Sequence, residues 1–183
     1  VTGYTESSDY PTTAGAYNGI FSGGWIDVFV ARLDAAGANL LYSSFIGSLD
    51  DEIGYAIAVN SLDQAFVTGL TSGAAFPVIA GGYSTVYNGA GDAFVLKLNA
   101  AGSALMYSTF LGGIGDDKAL SIVINNSGDA FITGSTTSNN FPATAGAYDV
   151  GYNTGIDVFV TKLNNTGSGL LYSTYVGGAS DEE

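Results

Sequence analysis

The chain has 183 residues, 17 acidic against 4 basic, and neither His nor Cys. A net charge near −13 makes nucleic acid a poor partner and weighs against anionic membranes, because both demand Lys and Arg. The missing His and Cys remove the commonest general base, disulfides, thiolate chemistry and cysteine-type zinc sites. Apolar residues make up 46%, enough for a large core, and no apolar run reaches membrane-spanning length, so no membrane insertion is expected.

The N-terminus, VTGYTESSDY, lacks the basic start and apolar stretch of a signal peptide. It reads as the middle of a repeat. Asp27–Ser48, Asp92–Gly113 and Asp157–Gly178 are three copies of one 22-residue stretch, spaced by 65 residues, with nine positions identical in all three. A repeat of this kind decides the fold before any other feature does.

Each repeat holds four segments rich in Val, Ile, Phe, Tyr and Thr, bounded by Gly, Asn and Asp, which predict strands. In the middle copy segment A is Gly54–Val59, B is Ala65–Thr71, C is Asp92–Leu98 and D is Ala104–Leu111. No stretch shows a capped helical period. Several segments are apolar on both faces, as in SIVI at Ser121–Ile124, so each small sheet is expected to be covered on both sides. Four short antiparallel strands per repeat, sandwiched between neighbours, predict all-β, β-propeller-type blades.

The A–B and C–D links are hairpin-sized. The B–C link is about 20 residues long and carries its own repeated marks, Tyr10-Pro11, Phe76-Pro77 and Phe141-Pro142. The chain starts inside a B segment and stops where an A segment is due. The expected units are a partial blade at 1–48, complete blades at 49–113 and 114–178, and the start of another repeat at 179–183. That is about 2.75 repeats, a partial propeller or an open blade array, expected to belong to a longer chain or to pair with other copies.

The run DAFVxKLxxxGxxLxYSTxLGG, an acidic pair, an apolar A segment, AFVTGxT and FPxxxGAY together resemble the bacterial SBBP repeat. The resemblance covers essentially the whole chain. It implies a β-propeller fold, export to the cell surface or medium, and a scaffold role, and it brings no catalytic residues. Asn60 and Asn125 stand where that family more often has Asp, and Asp63-Gln64 replaces a Gly-Asn turn.

Antiparallel order puts the B–C loops and D–A links at one end and the hairpin turns at the other. Fourteen of the 17 acids then fall at the loop end, leaving only Asp34, Asp63 and Asp129 at the turn end. The recurring acidic pairs Asp51-Glu52, Asp116-Asp117 and Asp181-Glu182 offer hard oxygen ligands suited to Ca²⁺. The competing reading is that these carboxylates accept backbone N–H groups at a corner or sit in water. Asp27, Asp92 and Asp157 obey the repeat and read as loop-capping residues at the head of segment C. Tyr42, Tyr107 and Tyr172 read as packing between blades.

The loop aromatics Trp25, Phe76, Tyr87, Phe141 and Tyr152 are the candidate ligand-binding residues, and Trp25 lies in the one irregular loop. With no nucleophile elbow, no His and no unique carboxylate pair, no enzyme is expected. The expected function is a structural or adhesive module of a large extracellular or cell-surface bacterial protein, pairing through blade edges into a polymer or filament. The alternative is a Ca²⁺-assisted propeller that binds a glycan or a cationic protein segment on the acidic loop face.

Overall fold

The computed structural model describes residues 1–182. Eleven strands and no helix are found among them: β1 (Thr2–Thr5), β2 (Asp27–Leu33), β3 (Leu40–Ile46), β4 (Glu52–Val59), β5 (Ala65–Thr71), β6 (Asp92–Leu98), β7 (Leu105–Leu111), β8 (Asp117–Ile124), β9 (Ala130–Thr136), β10 (Asp157–Leu163) and β11 (Leu170–Val176). All pairs within the sheets are antiparallel. They form a three-stranded sheet β1-β2-β3 and two four-stranded sheets, β4-β5-β6-β7 and β8-β9-β10-β11. None of the three sheets closes on itself. The first sheet is B-C-D and the other two are A-B-C-D, the phase read from the repeat.

Segment A is longer than expected. β4 and β8 begin at Glu52 and Asp117, two residues ahead of the apolar run, because each acid is already paired with the Thr that ends the neighbouring strand. Both A strands then carry a register shift, at Gly54/Ala56 and at Ala119/Ser121. The A–B turn of the second sheet needs one residue at positive φ. Asp63 takes φ 60° there, and Gly128 takes φ 81° in the third sheet. An Asp tolerates this region better than most side chains, which is how the changed turn is accommodated.

Sheets pack face on face. β4 lies against β1 and β2, and β8 lies against β4, β5 and β6. One apolar cluster, including Val28, Val30, Tyr42, Val67, Phe94 and Phe110, fills the first joint. A second, including Phe66, Val95, Tyr107, Ile132, Phe159 and Tyr175, fills the other. Every residue of β6 is buried, so the middle sheet is covered on both faces as its uniformly apolar segments demand.

Candidate functional site: the carboxylates between the sheets

The loop end of each sheet is organised by an Asp at the head of its C strand. Asp27 Oδ2 accepts the Ser22 N–H at 2.6 Å, Asp92 Oδ2 the Asn88 N–H at 2.9 Å and Asp157 Oδ2 the Asn153 N–H at 2.9 Å. One oxygen of each carboxyl thus closes the last turn of the long B–C loop, the capping role expected from sequence. The other oxygen, Oδ1, is buried and has no hydrogen-bond partner in any of the three copies.

That second oxygen faces another carboxyl. The chain leaves strand D through Gly47, Gly112 or Gly177 and turns into the acidic link. A Cβ on Gly112 would lie 2.7 Å from both Asp92 Oδ1 and Asp117 Oδ2. On Gly47 it would lie 2.3 Å from Asp27 Oδ1 and 2.8 Å from Glu52 Oε2. On Gly177 the distances are 2.3 Å to Asp157 Oδ1 and 2.9 Å to Glu182 Oε2. Glycine is therefore required where the two carboxyls converge, and the pairs are Asp27–Glu52, Asp92–Asp117 and Asp157–Glu182. The first two each join the C strand of one sheet to the head of the next A strand, β4 or β8, and the third joins β10 to the segment after β11.

The A-strand acids are held by donors. Glu52 accepts the Ser48 N–H at 2.8 Å, the Ser48 hydroxyl at 2.6 Å and the Thr71 hydroxyl at 3.1 Å. Asp117 accepts the Gly113 N–H at 2.7 Å, the Ser138 hydroxyl at 2.8 Å and the Thr136 hydroxyl. Glu182 accepts the Gly178 N–H at 3.0 Å. The main chain adds a bond at the same place: Glu52, Asp117 and Glu182 donate their N–H groups to Ile26, Gly91 and Ile156.

Burial sets the electrostatics. It pushes the Glu52 carboxyl up to about 7, against the Ser48 and Thr71 hydrogen bonds, and the Asp27 charge adds to the rise. Burial likewise lifts Asp92 to about 6, with the Asp117 charge adding to it. Asp27 and Asp117 are also raised, again chiefly by burial. Two carboxyls crowded out of water disfavour double ionisation. In Asp27–Glu52 and Asp92–Asp117, one proton per pair relieves the repulsion.

The adjacent acids read as Ca²⁺ ligands do not act together. Glu52 and Asp117 are fully buried among their donors. Asp51 accepts the Trp25 N–H at 2.7 Å and Asp181 the Ile156 N–H at 3.0 Å, while Asp116 is exposed. Neighbours on an extended chain point to opposite sides, so each pair splits between two environments. Among the described residues no group of three or more acidic, His or Cys side chains gathers to hold a metal ion. Glu183, counted with the acidic end in the sequence, lies outside the described residues.

The five loop aromatics also separate. Phe76 and Phe141 are buried against the C-strand aromatics Phe94 and Phe159, with ring centroids 4.6 and 4.4 Å apart. They present no surface to a ligand, because the Phe-Pro marks fold the long loop back onto its own sheet. Tyr87 and Tyr152 are half-buried, and their hydroxyls donate to Ala90 and Gly155 within the loop. Trp25 alone stands out, 82% exposed.

A cleft of about 570 Å³ that sequence reasoning did not single out lies at the turn end, lined by Asn60, Leu62, Gln64, Lys97, Asn125 and Asn165 among others. Its residues come from turns of two adjacent repeats, a juxtaposition no local pattern announces. No protein-family model matches the chain, and no curated protein matches it.

Proposed function

We propose that the chain is a structural repeat module, its sheets serving as blades of a β-propeller-type array of the kind SBBP repeats imply. It would work within a large extracellular or cell-surface bacterial protein, with assembly through its open blade edges. The observation that carries this reading is the fate of the repeating residues. Asp27, Asp92, Asp157, Phe76, Phe141, Tyr42 and Tyr107 are all spent on joining loop to sheet or sheet to sheet. The best-repeated acids are shut away from any solute, which suits a scaffold and not a reaction. Electron-microscope images of the purified chain test it. Sheets fanned radially about an axis are the expected result, and a flat stack of parallel sheets would sink the propeller reading.

A second reading rests on Trp25, an exposed indole at the acidic end with its backbone fixed by Asp51. Exposed aromatics beside acids suit a glycan or a cationic protein segment. Glycan arrays and basic peptides, probed with and without Ca²⁺, check it. Binding that survives Trp25→Ala unchanged removes that residue from the account.

A further inference from the structure

The cations of the three C strands recur in register, but only two of them meet a carboxylate. Arg32 Nη2 pairs with Asp63, in the A–B turn of the next sheet, at 2.9 Å. Lys162 Nζ pairs with Asp129, in the A–B turn of its own sheet, at 3.2 Å. Lys97 of β6 is the counterpart of both. One repeat after Asp63 stands Gly128, and one repeat before Asp129 stands Gln64. Neither place that could give Lys97 a carboxylate holds one. Among the described residues its ammonium has no ion-pair partner, although the residue is only 9% exposed. Nζ lies over the Phe66 ring, 4.9 Å from the centroid, and burial lowers its pKa from the ordinary lysine value. A cation drawn out of water without an anion beside it is costly.

Lys97 lines the cleft of about 570 Å³ at the turn end, a volume within the range of small-molecule sites. The other walls are the A–B turn of the second sheet and the A–B and C–D turns of the third, so two whole repeats in contact build it. Among the described residues no acid lines the cleft, in a chain that has 17 of them. Side-chain amides stand there instead. Gln64 donates its Nε2–H to the Met106 sulfur, a weak acceptor, at 3.2 Å. Asn165 donates its Nδ2–H to the Ser127 carbonyl at 3.1 Å and keeps its Oδ1 for another donor. Asn126 is exposed. An amide both donates and accepts, which matches hydroxyl groups, since they do the same. Val59, Leu62 and Ile124 add an apolar side on which the C–H face of a sugar ring can rest.

We propose that this cleft binds an acidic saccharide, a uronate of one or two rings, with its carboxylate on Lys97 and its hydroxyls on Gln64, Asn126 and Asn165. The bound carboxylate takes the place that Asp63 and Asp129 fill beside the other two cations. A ligand with a single carboxylate suits the site better than a polyanion, because a net charge of −13 repels the latter. The cleft is at the opposite end from Trp25, and the repeat-scaffold reading neither requires this site nor falls with it.

Calorimetric titration of the whole chain with glucuronate, glucose and acetate tests the proposal. Glucuronate should bind, and glucose and acetate, each carrying half of its chemistry, should bind at least about tenfold more weakly. Lys97→Met should weaken glucuronate by at least about the same tenfold. Two further variants supply the missing carboxylate from within the chain. Gly128→Asp copies Asp63, which already holds a positive φ of 60° where Gly128 has 81°, and its Cβ would lie 3.4 Å from Asn165, an ordinary contact. Gln64→Asp copies Asp129. Each should occupy Lys97 and block glucuronate without lowering the melting temperature, while Trp25→Ala should leave binding unchanged. No binding of glucuronate, glucose or acetate bound as tightly, binding that survives Lys97→Met and Gly128→Asp, or binding lost with Trp25→Ala would overturn the proposal. Circular dichroism and electron-microscope images report the sheets independently, so failure of the titration with these intact removes the saccharide site and leaves the scaffold reading standing.

Discussion

The second and third sheets have nearly the same sequence pattern and the same strand order, yet they differ in what their side chains experience. Tyr107 is 3% exposed and Tyr172 is 37% exposed. The strand is not the cause, since both tyrosines sit at matched positions opposite the lysine of strand C. The difference is the presence of a following sheet. Burial in this molecule is conferred by the neighbour, as expected of a quasi-one-dimensional array in which each unit completes the core of the one before.

The sharpest way to break that comparison is truncation at the two tyrosines. Tyr107→Ala should cost about 3–5 kcal/mol, as for other large aromatics removed from a core, whereas Tyr172→Ala should cost less than about 1 kcal/mol. Denaturant unfolding measures both, and equal costs would show that the following sheet does not decide the matter. Next in size is the glycine pair at the turns. Gly37 and Gly102 share a positive φ of 67° and 65°. Gly37→Ala should cost only the backbone strain, about 1–2 kcal/mol. Gly102→Ala should cost that plus roughly 1–3 kcal/mol for displacing the Tyr42 ring.

The carboxylate pairs give a smaller and pH-dependent effect. Glu52 and Asp92 bind their protons more tightly in the folded chain, at about 7 and about 6, than in the unfolded one, where they fall in the ordinary range near 4.5 and 3.8. Their contribution is complete below the unfolded values and is lost as pH rises through the folded ones, on the order of 2 kcal/mol for a buried group. Stability should therefore decline between about pH 4 and 7, and Asp92→Asn should flatten part of that decline. A melting temperature that rises across this window would refute the shared proton. Asp34, Asp129 and Asp149, held down by hydrogen bonds, act in the opposite sense and lose their contribution only as pH falls below the ordinary carboxylate range.

The smallest effect separates the tyrosine hydroxyls. Tyr107 Oη is buried without a partner. Tyr107→Phe should be neutral or stabilising by up to about 1 kcal/mol, because it removes an unsatisfied polar atom. The same change at exposed Tyr172 should do nothing measurable, and a clear loss at Tyr107 would mean that the hydroxyl is bonded in solution.

Strand order, phase and the acidic end were legible in the sequence because they depend on local signals: turn residues, apolar runs and a fixed repeat length. The role of Asp92 was half legible. Its bond to the Asn88 N–H is local, but its opposition to Asp117 arises only when one sheet meets the start of the next. Gly47, Gly112 and Gly177, which recur directly after strand D, carry the signal. Phe76 and Phe141 lie in loops, a placement that suggests surface, yet both are buried. Their recurrence in register with Pro was the better guide, since residues that repeat here are mostly residues that pack. Of the five candidate loop aromatics, Trp25, which does not repeat, is the one left fully in view. For Tyr107 the packing leaves the hydroxyl no hydrogen-bond partner.

The short acidic links have a mechanical consequence. Each passes from one sheet to the next in a few residues and is fastened at its far end by a buried acid and by a main-chain bond, such as that from Glu52 to Ile26. A pull on the two ends of an array loads these fastenings in series. Sheets then give way one at a time, and each failure frees a 65-residue repeat, which when drawn straight spans roughly 200 Å. A filament built this way would lengthen in discrete steps under load and dissipate work at each one, as a shock absorber does, while the sheets not yet reached stay folded.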